Sequence, residues 1–591
     1  MKLYDVCILG SGLGSTILGS ILARHGLKTL LLDRSAHPRF AIGESTIPST
    51  TGFLKILARR YDVPEIEVLS SFSSIQNVAP SCGVKRAFTF LYHRPGRPQL
   101  PSEAMEYRTF PPPLGPDIHL LRSEVDTYMA KVAVSYGAQL EERVEIREVE
   151  FGDTVRVVLA DGSARHARFI VDGSGYNSVL AQKLGLRDPK PRLQTRSRVI
   201  FTHMRGVQPY DHKAAPRSAY RMTRTPFHQT TLHHVFDGGW IWVIPFDNHP
   251  NAIHPECSVG LCLDLAKYPA DGRDAEQEFW QVVRAFPGIA RHFEGATATR
   301  QWVSTGRLQY TSSAVTGPRW CLLPHAASFV DPLFSSGLSL SVWAINILAQ
   351  ELIDARTDGN FCGERLGFYE TFLERSVNHY DRLIAGSYAS WASFELWNAW
   401  YRMWTIGAFL QVASELMHFA RVIDSADASG FTQAPYRGLQ ASDYKPFEQL
   451  FDASQAELQA AREGHVSAPE AAARIFSHIR AAQLAPRSFT DTDSRSPITA
   501  TLGNILRLLA WGRYQSTAEI RTLFFGEIHR IIPLLAGELS RAAWKERSSL
   551  RGLLRLARDV VSTRNHEFVA RDQKHRQLAT HCGKGGGASK P

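Results

Sequence analysis

The chain lacks the features that mark several large classes of protein. It has only seven cysteines in 591 residues, scattered without the spacing of a metal site: Cys7, Cys82, Cys257, Cys262, Cys321, Cys362 and Cys582. It contains no phosphate-binding P-loop, no internal repeat and no uninterrupted apolar stretch of membrane-spanning length. No signal peptide precedes the first apolar run, so we expect a reducing, cytoplasmic setting.

Positive charge is concentrated at the C-terminal end. The formal net charge is +10, and the segment from Arg541 to Lys590 alone holds 12 Lys or Arg against 4 Asp or Glu. A basic helical end is most often a solvated face, although it can attract an acidic carrier protein or an anionic membrane surface. No recognised nucleic-acid-binding fold accompanies this charge, which argues against a nucleic-acid partner.

The N-terminus has the pattern of a dinucleotide-binding βαβ unit. An apolar strand from Leu3 to Leu9 precedes a glycine-rich turn, a helix from Thr16 to His25 and a second strand from Lys28 to Leu32. This order of elements makes the glycine motif far more specific than a lone Gly-x-Gly. The chain is long enough for two or three domains, and we expect the first to bind a dinucleotide.

Each residue of the turn has a physical role in that prediction. Gly10 permits the tight turn and Gly12 lets the backbone approach a pyrophosphate, and Gly14 belongs to the same glycine-rich turn. Ser15 replaces the third glycine of the motif and is still small enough for close helix packing. Asp33, about 20 residues further on, can hold a ribose hydroxyl.

Arg34 directly follows the ribose acid and by itself suggests a phosphorylated nucleotide, but two later segments favour FAD. In the first, Ser123 as N-cap with Asp126 at the N3 position predicts a helix start. Arg122 would then lie at the mouth of the helix, free to reach a flavin. A plain helix cap with a solvated arginine explains this segment equally well.

The second segment runs from Val330 to Leu338 and ends in small residues at the start of an apolar helix. Exposed N–H groups and the positive end of the helix dipole suit a reduced, anionic isoalloxazine or a small anion. Asp331, Ser336 and Gly337 are the candidate binding residues in this run.

The run from Gly239 to Phe246 predicts a strand that Pro245 ends. Period-2 alternation divides it into two faces, Trp240, Trp242 and Ile244 against Ile241 and Val243. Two indoles on one face form a wall bulky enough to keep an organic substrate from whatever lies behind it. A buried aromatic strand is the alternative.

These segments resemble, in this order, the para-hydroxybenzoate-hydroxylase-like flavoproteins, and within them the flavin-dependent halogenases. Trp240 to Pro245 matches the W-x-W-x-I-P motif, and Gly43 to Pro48 and Ser81 to Phe90 match two further family segments. The likeness is strongest to the phenol halogenases of pyoluteorin pathways and related natural-product halogenases. It runs from Met1 to roughly Arg421.

The resemblance implies an α/β fold with a Rossmann-type FAD-binding domain, a β-sheet substrate domain and a mainly α-helical C-terminal extension. We expect the FAD-binding domain at 1–200 and 300–355 and the substrate sheet at 70–120 and 200–300. An aromatic helical region would cover 356–440, and the extension with its basic tail 441–591.

The resemblance also implies a reaction. Reduced FAD and O2 form a hydroperoxide at flavin C4a, and chloride or bromide held at Ser336 and Gly337 attacks it to give hypohalous acid. Trp240, Trp242 and Pro245 separate flavin from substrate, and Lys85 directs the oxidant onto an electron-rich, phenolic ring supplied free or on a carrier protein. The residues implied for FAD binding are Gly10, Gly12, Gly14, Ser15, Asp33, Arg34, Glu44, Ser45, Arg122, Asp331, Gly337 and Leu338.

Lys85 suits this role because alternation groups it with small residues, Ala87 and Thr89, on one strand face. Partial burial in a cavity would lower its pKa and make the free amine accessible. The sequence departs from the family where Pro324-His325 replaces Gly-Asp, and no glutamate partner for the lysine is evident, Glu395 being a weak candidate.

An aromatic stripe is predicted on a helix from Tyr388 to Trp404, as core or as substrate lining. Two rival functions remain open. One is an NAD(P)H-dependent aromatic hydroxylase, which the paired tryptophans disfavour because hydroxylation needs substrate beside flavin C4a. The other is a non-catalytic flavoprotein scaffold for a carrier protein. A halogenase of this kind needs a separate flavin reductase, and no metal site is expected.

Overall fold

The computed structural model describes residues 2–110, 114–213, 225–425, 439–493, 502–547 and 554. The strands are β1 Leu3–Leu9, β2 Thr29–Asp33, β3 Gly83–Lys85, β4 Ala87–Tyr92, β5 Ala104–Arg108, β6 Asp117–His119, β7 Gln139–Glu142, β8 Ile146–Phe151, β9 Val155–Leu159, β10 Ala164–Asp172, β11 Ser197–Arg205, β12 Thr230–Phe236, β13 Gly239–Pro245, β14 Glu256–Asp264, β15 Thr297–Ala298, β16 Val303–Ser304, β17 Thr316–Gly317 and β18 Trp320–Leu322.

The α-helices are α1 Leu13–Arg24, α2 Pro48–Arg60, α3 Pro64–Glu67, α4 Phe72–Ile75, α5 Arg122–Ser135, α6 Val179–Lys183, α7 Tyr210–Lys213, α8 Ala275–Arg284, α9 Pro287–His292, α10 Pro324–Ala327, α11 Gly337–Asp358, α12 Gly367–Ser390, α13 Phe394–Ser425, α14 Lys445–Arg462, α15 Ala468–Ala482, α16 Leu502–Tyr514, α17 Ala518–Phe525 and α18 Ile528–Glu546.

The first sheet has the order β17-β18-β10-β1-β2-β7, with β9 beside β10 and β8 beside β9. Strand β1 pairs in parallel with both β2 and β10, and β10 pairs in parallel with β18. Helices cover such a sheet, which explains why β1 is almost entirely apolar and buried. The carboxyl ends of its central strands therefore meet at one edge, where Gly10, Asp33 and Gly173 follow or end them.

The second sheet has the order β15-β11-β14-β13-β12-β4-β5, with β16 beside β11. Its pairs are antiparallel except for β12 with β4. The prediction for the tryptophan strand is confirmed: Trp240, Trp242 and Ile244 pack into the main core, whereas Ile241 and Val243 pack into a second core with α8 and α9. Strands β3 and β6 form a small separate ladder.

The predicted helix from Tyr388 to Trp404 is wrong as a single element. Helix α12 ends at Ser390 and α13 begins at Phe394, with a turn between them. The aromatic residues on both sides of the turn are buried, because α12 packs on α11 and α13 packs on α2, α15, α17 and α18.

A second correction concerns the start of α5. The helix begins at Arg122 with Leu121 as its N-cap and no side-chain cap bond, so Ser123 is not the N-cap. The carboxylate of Asp126 is instead occupied by Arg122, at 2.8 Å and 3.0 Å. A strong side-chain ion pair on the first turn thus replaces the expected capping box.

One described helix segment, Leu333–Asp358, is long and apolar enough to cross a membrane, although polar residues interrupt its apolar sequence. Its most apolar window is 72% buried inside the protein. Helix α11, which makes up most of it, is a core helix that packs on α1, α2, α10 and α12. The basic tail beyond Arg547 lies outside the described residues, Leu554 excepted.

Candidate active site

A cavity of about 1470 Å³ opens at the carboxyl edge of the first sheet and reaches the face of the second. All the residues that the sequence implied for FAD binding line it: Gly10, Gly12, Gly14, Ser15, Asp33, Arg34, Glu44, Ser45, Arg122, Asp331, Gly337 and Leu338. Trp240 and Trp242 also line it, whereas Pro245, Lys85 and Ser336 do not.

The glycine turn fits a cofactor that approaches the backbone closely. Gly10 has a φ of +85°, and a Cβ there would lie 2.9 Å from the carbonyl oxygen of Gly173, so only glycine fits without strain. At Gly12 the nearest atom to a Cβ would be Nη2 of Arg39, 3.8 Å away. The space over Gly12 is thus left open, as a pyrophosphate on the backbone requires.

The carboxylate of Asp33 is fixed beside this turn. It accepts hydrogen bonds from the backbone N–H and the hydroxyl of Ser11 at 2.7 Å and 2.8 Å, and from Arg39 at 3.1 Å. Burial alone would raise the pKa of Asp33, but the Ser35 N–H, the Arg39 charge and Ser11 together lower it. Asp33 is therefore an ionised acceptor, as ribose binding requires.

Arg122 and Glu44 reach the cavity through partners that hold them in place. Arg122 donates to the carbonyl of Ile42 at 2.6 Å as well as to Asp126, so it braces the loop before Glu44. Glu44 is buried and its carboxylate lies 2.8 Å from Nε2 of His203. The sequence named both residues but not their partners Ile42 and His203, which lie in distant segments.

The turn before α11 carries backbone strain. Phe334 and Ser335 have φ values of +69° and +54°, a conformation that costs non-glycine residues free energy and that concentrates at functional sites. Ser335 and Gly337 face the cavity, whereas Ser336 is buried beside it. A Cβ on Gly337 would meet Nε2 of His325 at 2.7 Å.

Two further groups near this turn are polar and buried. Burial lowers the pKa of His325 to about 4, with a smaller contribution from Arg122, so the imidazole is neutral at physiological pH. Asp331 accepts from Ser197 at 2.7 Å and from Tyr388 at 3.1 Å. Burial raises its pKa to about 6.

Lys85 is completely buried at the end of β3. Its Nζ donates to the hydroxyl of Ser45 at 2.7 Å and to the carbonyl of Thr46 at 2.6 Å, and it lies 3.3 Å from the centre of the Phe88 ring. Burial lowers its pKa well below the ordinary value, and the nearby Asp117 offsets this only in part. The partial burial expected from sequence is in fact complete.

The acid beside Lys85 is Asp117, not Glu395. Asp117 is the cross-strand partner of Lys85 in the small ladder, and burial raises its pKa to about 7. Glu395 is exposed at the start of α13. Sequence reasoning missed Asp117 because the β3–β6 pairing joins residues 32 positions apart with no local signal.

A chain of hydrogen bonds links Lys85 to the cavity. Ser45 lies 2.9 Å from Oγ1 of Thr231 and accepts from Ser335 at 3.0 Å, and Thr231 lies 3.0 Å from Nε2 of His119. The other ring nitrogen of His119 lies 2.8 Å from the carbonyl oxygen of Pro245. Thr231 and His119 were not predicted from sequence.

Aromatic rings enclose the region around Lys85. Trp404 lies 5.1 Å from Phe88, 5.1 Å from Tyr107 and 4.6 Å from Phe334, and Trp397 lies 5.6 Å from Phe90. His233 stacks on Phe90 at 4.4 Å and lies 5.5 Å from Trp240, so the tryptophan strand continues into this cluster.

Two polar atoms in this cluster are buried without a hydrogen-bond partner among the described residues, the hydroxyl of Tyr401 and Nε1 of Trp397. An unpaired buried polar group costs free energy, so a ligand that pairs it gains affinity. Within the described part of the chain, no cluster of His, Cys, Asp and Glu could hold a metal ion.

The chain matches a family model and is similar to several proteins of known sequence or structure. A family model described as tryptophan halogenase matches residues 99–399. Tetracycline 7-halogenase of Kitasatospora aureofaciens is 39% identical over 529 residues, 88% of this chain and 94% of that protein. Monodechloroaminopyrrolnitrin halogenase PrnC of Pseudomonas fluorescens is 37% identical over 534 residues, with the same coverage. The crystal structure of halogenase PltM in complex with phloroglucinol and FAD is 33% identical, with a TM-score of 0.80 over 83% of this chain and 99% of that one.

Proposed function

Because this chain belongs to the tryptophan halogenase family of flavin-dependent enzymes, we propose that it halogenates a phenolic substrate and that Lys85 delivers the halogen. Enzymes of this class use FADH2, O2 and halide, act on small aromatic substrates of natural-product pathways and receive reduced flavin from a separate reductase. The observation that carries the proposal is the fully buried Lys85, held outside the cofactor cavity but connected to it through Ser45.

The cavity residues fit FAD. The open backbone at Gly12 would hold the pyrophosphate and Asp33 the ribose, while Ser335, Gly337 and Leu338 would lie against the flavin end. When bound, reduced FAD with O2 supplies the oxidising equivalent that turns halide into hypohalous acid. We assign the halide to the amides at Ser336 and Gly337, where the N-terminus of α11 favours an anion.

The tryptophan wall supports halogenation over hydroxylation. Trp240 and Trp242 present their buried indoles to the cavity, and Gly260 on the next strand leaves room for the Trp242 ring, since a Cβ there would lie 2.1 Å from it. A hydroxylase must bring its substrate next to the flavin. Because the indoles occupy that side of the cavity, the arrangement favours an oxidant that diffuses to the substrate over direct oxygen transfer from the flavin.

Lys85 has the properties of an amine that takes up halogen. Burial lowers its pKa well below the ordinary value and so favours the neutral amine, the form that has a lone pair. Attack on hypohalous acid would form an N–halogen bond as the O–halogen bond breaks, and an amine proton leaves with the hydroxide as water. The ring carbon then attacks the halogen as the N–halogen bond breaks, and the proton lost from that carbon returns to nitrogen and restores the amine.

The aromatic cluster supports a phenolic substrate. Phe88, Phe90 and Trp404 offer ring faces for a planar substrate, and Tyr401 and Trp397 offer unpaired polar groups to a phenolic oxygen. The related PltM structure contains phloroglucinol, itself a phenol. We therefore place the substrate between β4 and α13.

The test is a product assay. Purified protein with FAD, a flavin reductase, NADH and either chloride or bromide is incubated with a panel of free phenols, and products are analysed by mass spectrometry. We expect a ring-halogenated product only when reductase and halide are both present. A hydroxylated product formed with NADPH and no reductase would overturn the proposal in favour of an aromatic hydroxylase.

Several finer assignments belong to the same proposal. The domain boundaries given above remain our division of the chain, supported by the separation of the two sheets. We also propose that the substrate is presented on a carrier protein and that the enzyme is cytoplasmic. For the basic tail from Arg541 we propose carrier-protein recognition, because its charge suits an acidic partner.

A further inference from the structure

The hydrogen bonds that connect the tryptophan strand to Lys85 each have a fixed donor and acceptor. A backbone carbonyl can only accept, so the Pro245 oxygen requires a proton on Nδ1 of His119. Burial lowers the pKa of His119 to about 3, so the ring is neutral and its Nε2 carries no proton. Nε2 must therefore accept from the hydroxyl of Thr231.

The donors and acceptors are fixed in the same way as far as Lys85. With its one proton given to His119, Thr231 can only accept from the hydroxyl of Ser45 at 2.9 Å. Ser45 has then used its single proton, and its two lone pairs accept from Lys85 at 2.7 Å and Ser335 at 3.0 Å. Every hydrogen-bonding position of Ser45 is occupied.

Lys85 is left with one unpaired position. The carbonyl of Thr46 also accepts only, so two N–H groups of Lys85 are directed at Thr46 and Ser45, and these are both the N–H groups that the neutral amine has. The third tetrahedral position on Nζ has no hydrogen-bond partner among the described residues, and in the neutral amine this position holds the lone pair. The centre of the Phe88 ring lies 3.3 Å from Nζ.

We propose that His119 is a positioning residue that acts through Thr231 and Ser45 to hold Lys85 with its lone pair free for hypohalous acid. The proposal rests on the halogen-transfer role of Lys85 proposed above. It also reassigns Ser45, which lines the cofactor cavity, from a flavin contact to the junction between the Ser335 turn and the lysine.

Thr231→Val gives the sharpest test, because it removes the hydroxyl with little change in shape. The hydroxyl of Ser45 then loses its acceptor and can turn to the lone pair of Lys85. We expect FAD content and hypohalous acid release, measured with a chlorinatable diketone, to stay within about twofold of wild type. Ring-halogenated product should fall about tenfold to 100-fold, as loss of groups that orient reactive residues typically causes.

The pH profile distinguishes this from a structural effect. A hydroxyl that donates to the amine stabilises its neutral form, so the acid limb of product formation should move to lower pH in Thr231→Val. The other titratable groups facing this region are Asp117 opposite Lys85, and His228 and His233 near His119. None of them is altered by the substitution.

Thr231→Ser is the matched control, since it keeps the hydroxyl and should retain most product. If Thr231→Val does not fold, His119→Asn replaces it, because the amide N–H can still donate towards Pro245 while no acceptor remains at the position of Nε2, to which Thr231 donates. Wild-type product yield in the folded variant, equal loss in Thr231→Ser, or an acid limb that does not move would overturn the inference. Full activity of Lys85→Ala would instead refute the proposed function itself.

Discussion

The cofactor cavity and the compartment around Lys85, which is the region enclosed by Phe88, Phe90, Trp397 and Trp404, are lined by different chemical groups. Charged groups and bare backbone line the cavity, where Asp33, Arg34 and Arg122 surround an open glycine turn. Rings line the compartment, where burial moves the pKa values of Lys85 and Asp117 in the directions that favour their neutral forms. The cavity is suited to hold a large anionic cofactor, and the compartment to keep an amine neutral and an oxidant away from water.

The largest effect should come from removing the amine of the compartment. In Lys85→Met the side chain keeps its bulk but loses the group that directs halogen, so ring-halogenated product should fall by more than about 100-fold. FAD binding and hypohalous acid release should persist, because Lys85 does not line the cavity. Product is measured by mass spectrometry and released oxidant with a diketone trap.

A second buried lysine serves as the control. Lys55 on α2 also has a pKa lowered by burial, but it lies 3.5 Å from Glu538 in an ion pair away from the compartment. Lys55→Met should reduce the free energy of unfolding and leave the ratio of product to released oxidant unchanged. A product yield in Lys85→Met close to that of Lys55→Met would contradict the comparison.

The next effect belongs to the cavity. Gly12 has a φ of −68°, and nothing lies within 3.8 Å of a Cβ built on it, so Gly12→Val should fold. The added side chain would occupy the place of the pyrophosphate, and FAD affinity should fall by at least about tenfold, or 1.4 kcal/mol. Flavin titration measures this.

Gly52→Val is the corresponding control, because a Cβ at Gly52 on α2 meets no atom within 4 Å and Gly52 does not line the cavity. Its FAD affinity should equal that of wild type. Stoichiometric flavin in purified Gly12→Val would place the cofactor elsewhere.

The same contrast explains what could be foreseen from the sequence. The glycine turn and Asp33 belong to one contiguous βαβ unit, and the faces of the tryptophan strand follow from period 2, so both were predictable. Lys85 was found through a motif. Its surroundings come from two distant strands, β6 with Asp117 and His119 and β12 with Thr231, whose pairing no local pattern specifies.

The two helix errors have the same origin. Ser123 and Asp126 satisfy a capping pattern locally, but Arg122 binds Asp126 and the Ile42 carbonyl, so tertiary contacts decide the start of the helix. The aromatic stripe continues across the break at Trp391 because the residues on both sides face the same core. The periodicity therefore predicted correctly that these aromatic residues are buried, but wrongly that a single helix carries them.

A smaller effect is expected where the cavity meets the second sheet. A Cβ in Gly260→Ala would lie 2.1 Å from the Trp242 ring and force the indole out of place. Overpacking of this kind costs about 1–3 kcal/mol of stability, and a displaced indole should also weaken FAD binding. Denaturant unfolding and flavin titration measure the two effects.

Gly306→Ala is the control, because it adds the same methyl group at a different glycine and shows whether the effect depends on contact with Trp242. Gly306 lines the same cavity, but a Cβ there meets no atom within 4 Å. It should behave as wild type in both measurements. If Gly260→Ala were equally silent, the Trp242 side of the cavity would be loosely packed and a poor barrier.

The smallest effect concerns the pH dependence of stability at the edge of the cavity. Burial lowers the pKa of His203, but the hydrogen bond to Glu44 and the charges of Glu44 and Glu256 outweigh it, so the net shift is upward. A pKa raised by folding stabilises the protein fully below the unfolded value of about 6.5 and loses that contribution as pH rises through the folded value.

His203→Gln removes this titration while keeping a polar side chain near Glu44. We therefore expect the stability advantage of wild type over His203→Gln to be greatest below about pH 6.5 and to shrink as the pH is raised to about 8.5. Urea unfolding of the two proteins across this range measures the difference. An advantage that grows with pH would mean that Glu44 is held by a neutral His203, and that the ion pair does not join the cofactor cavity to the second sheet.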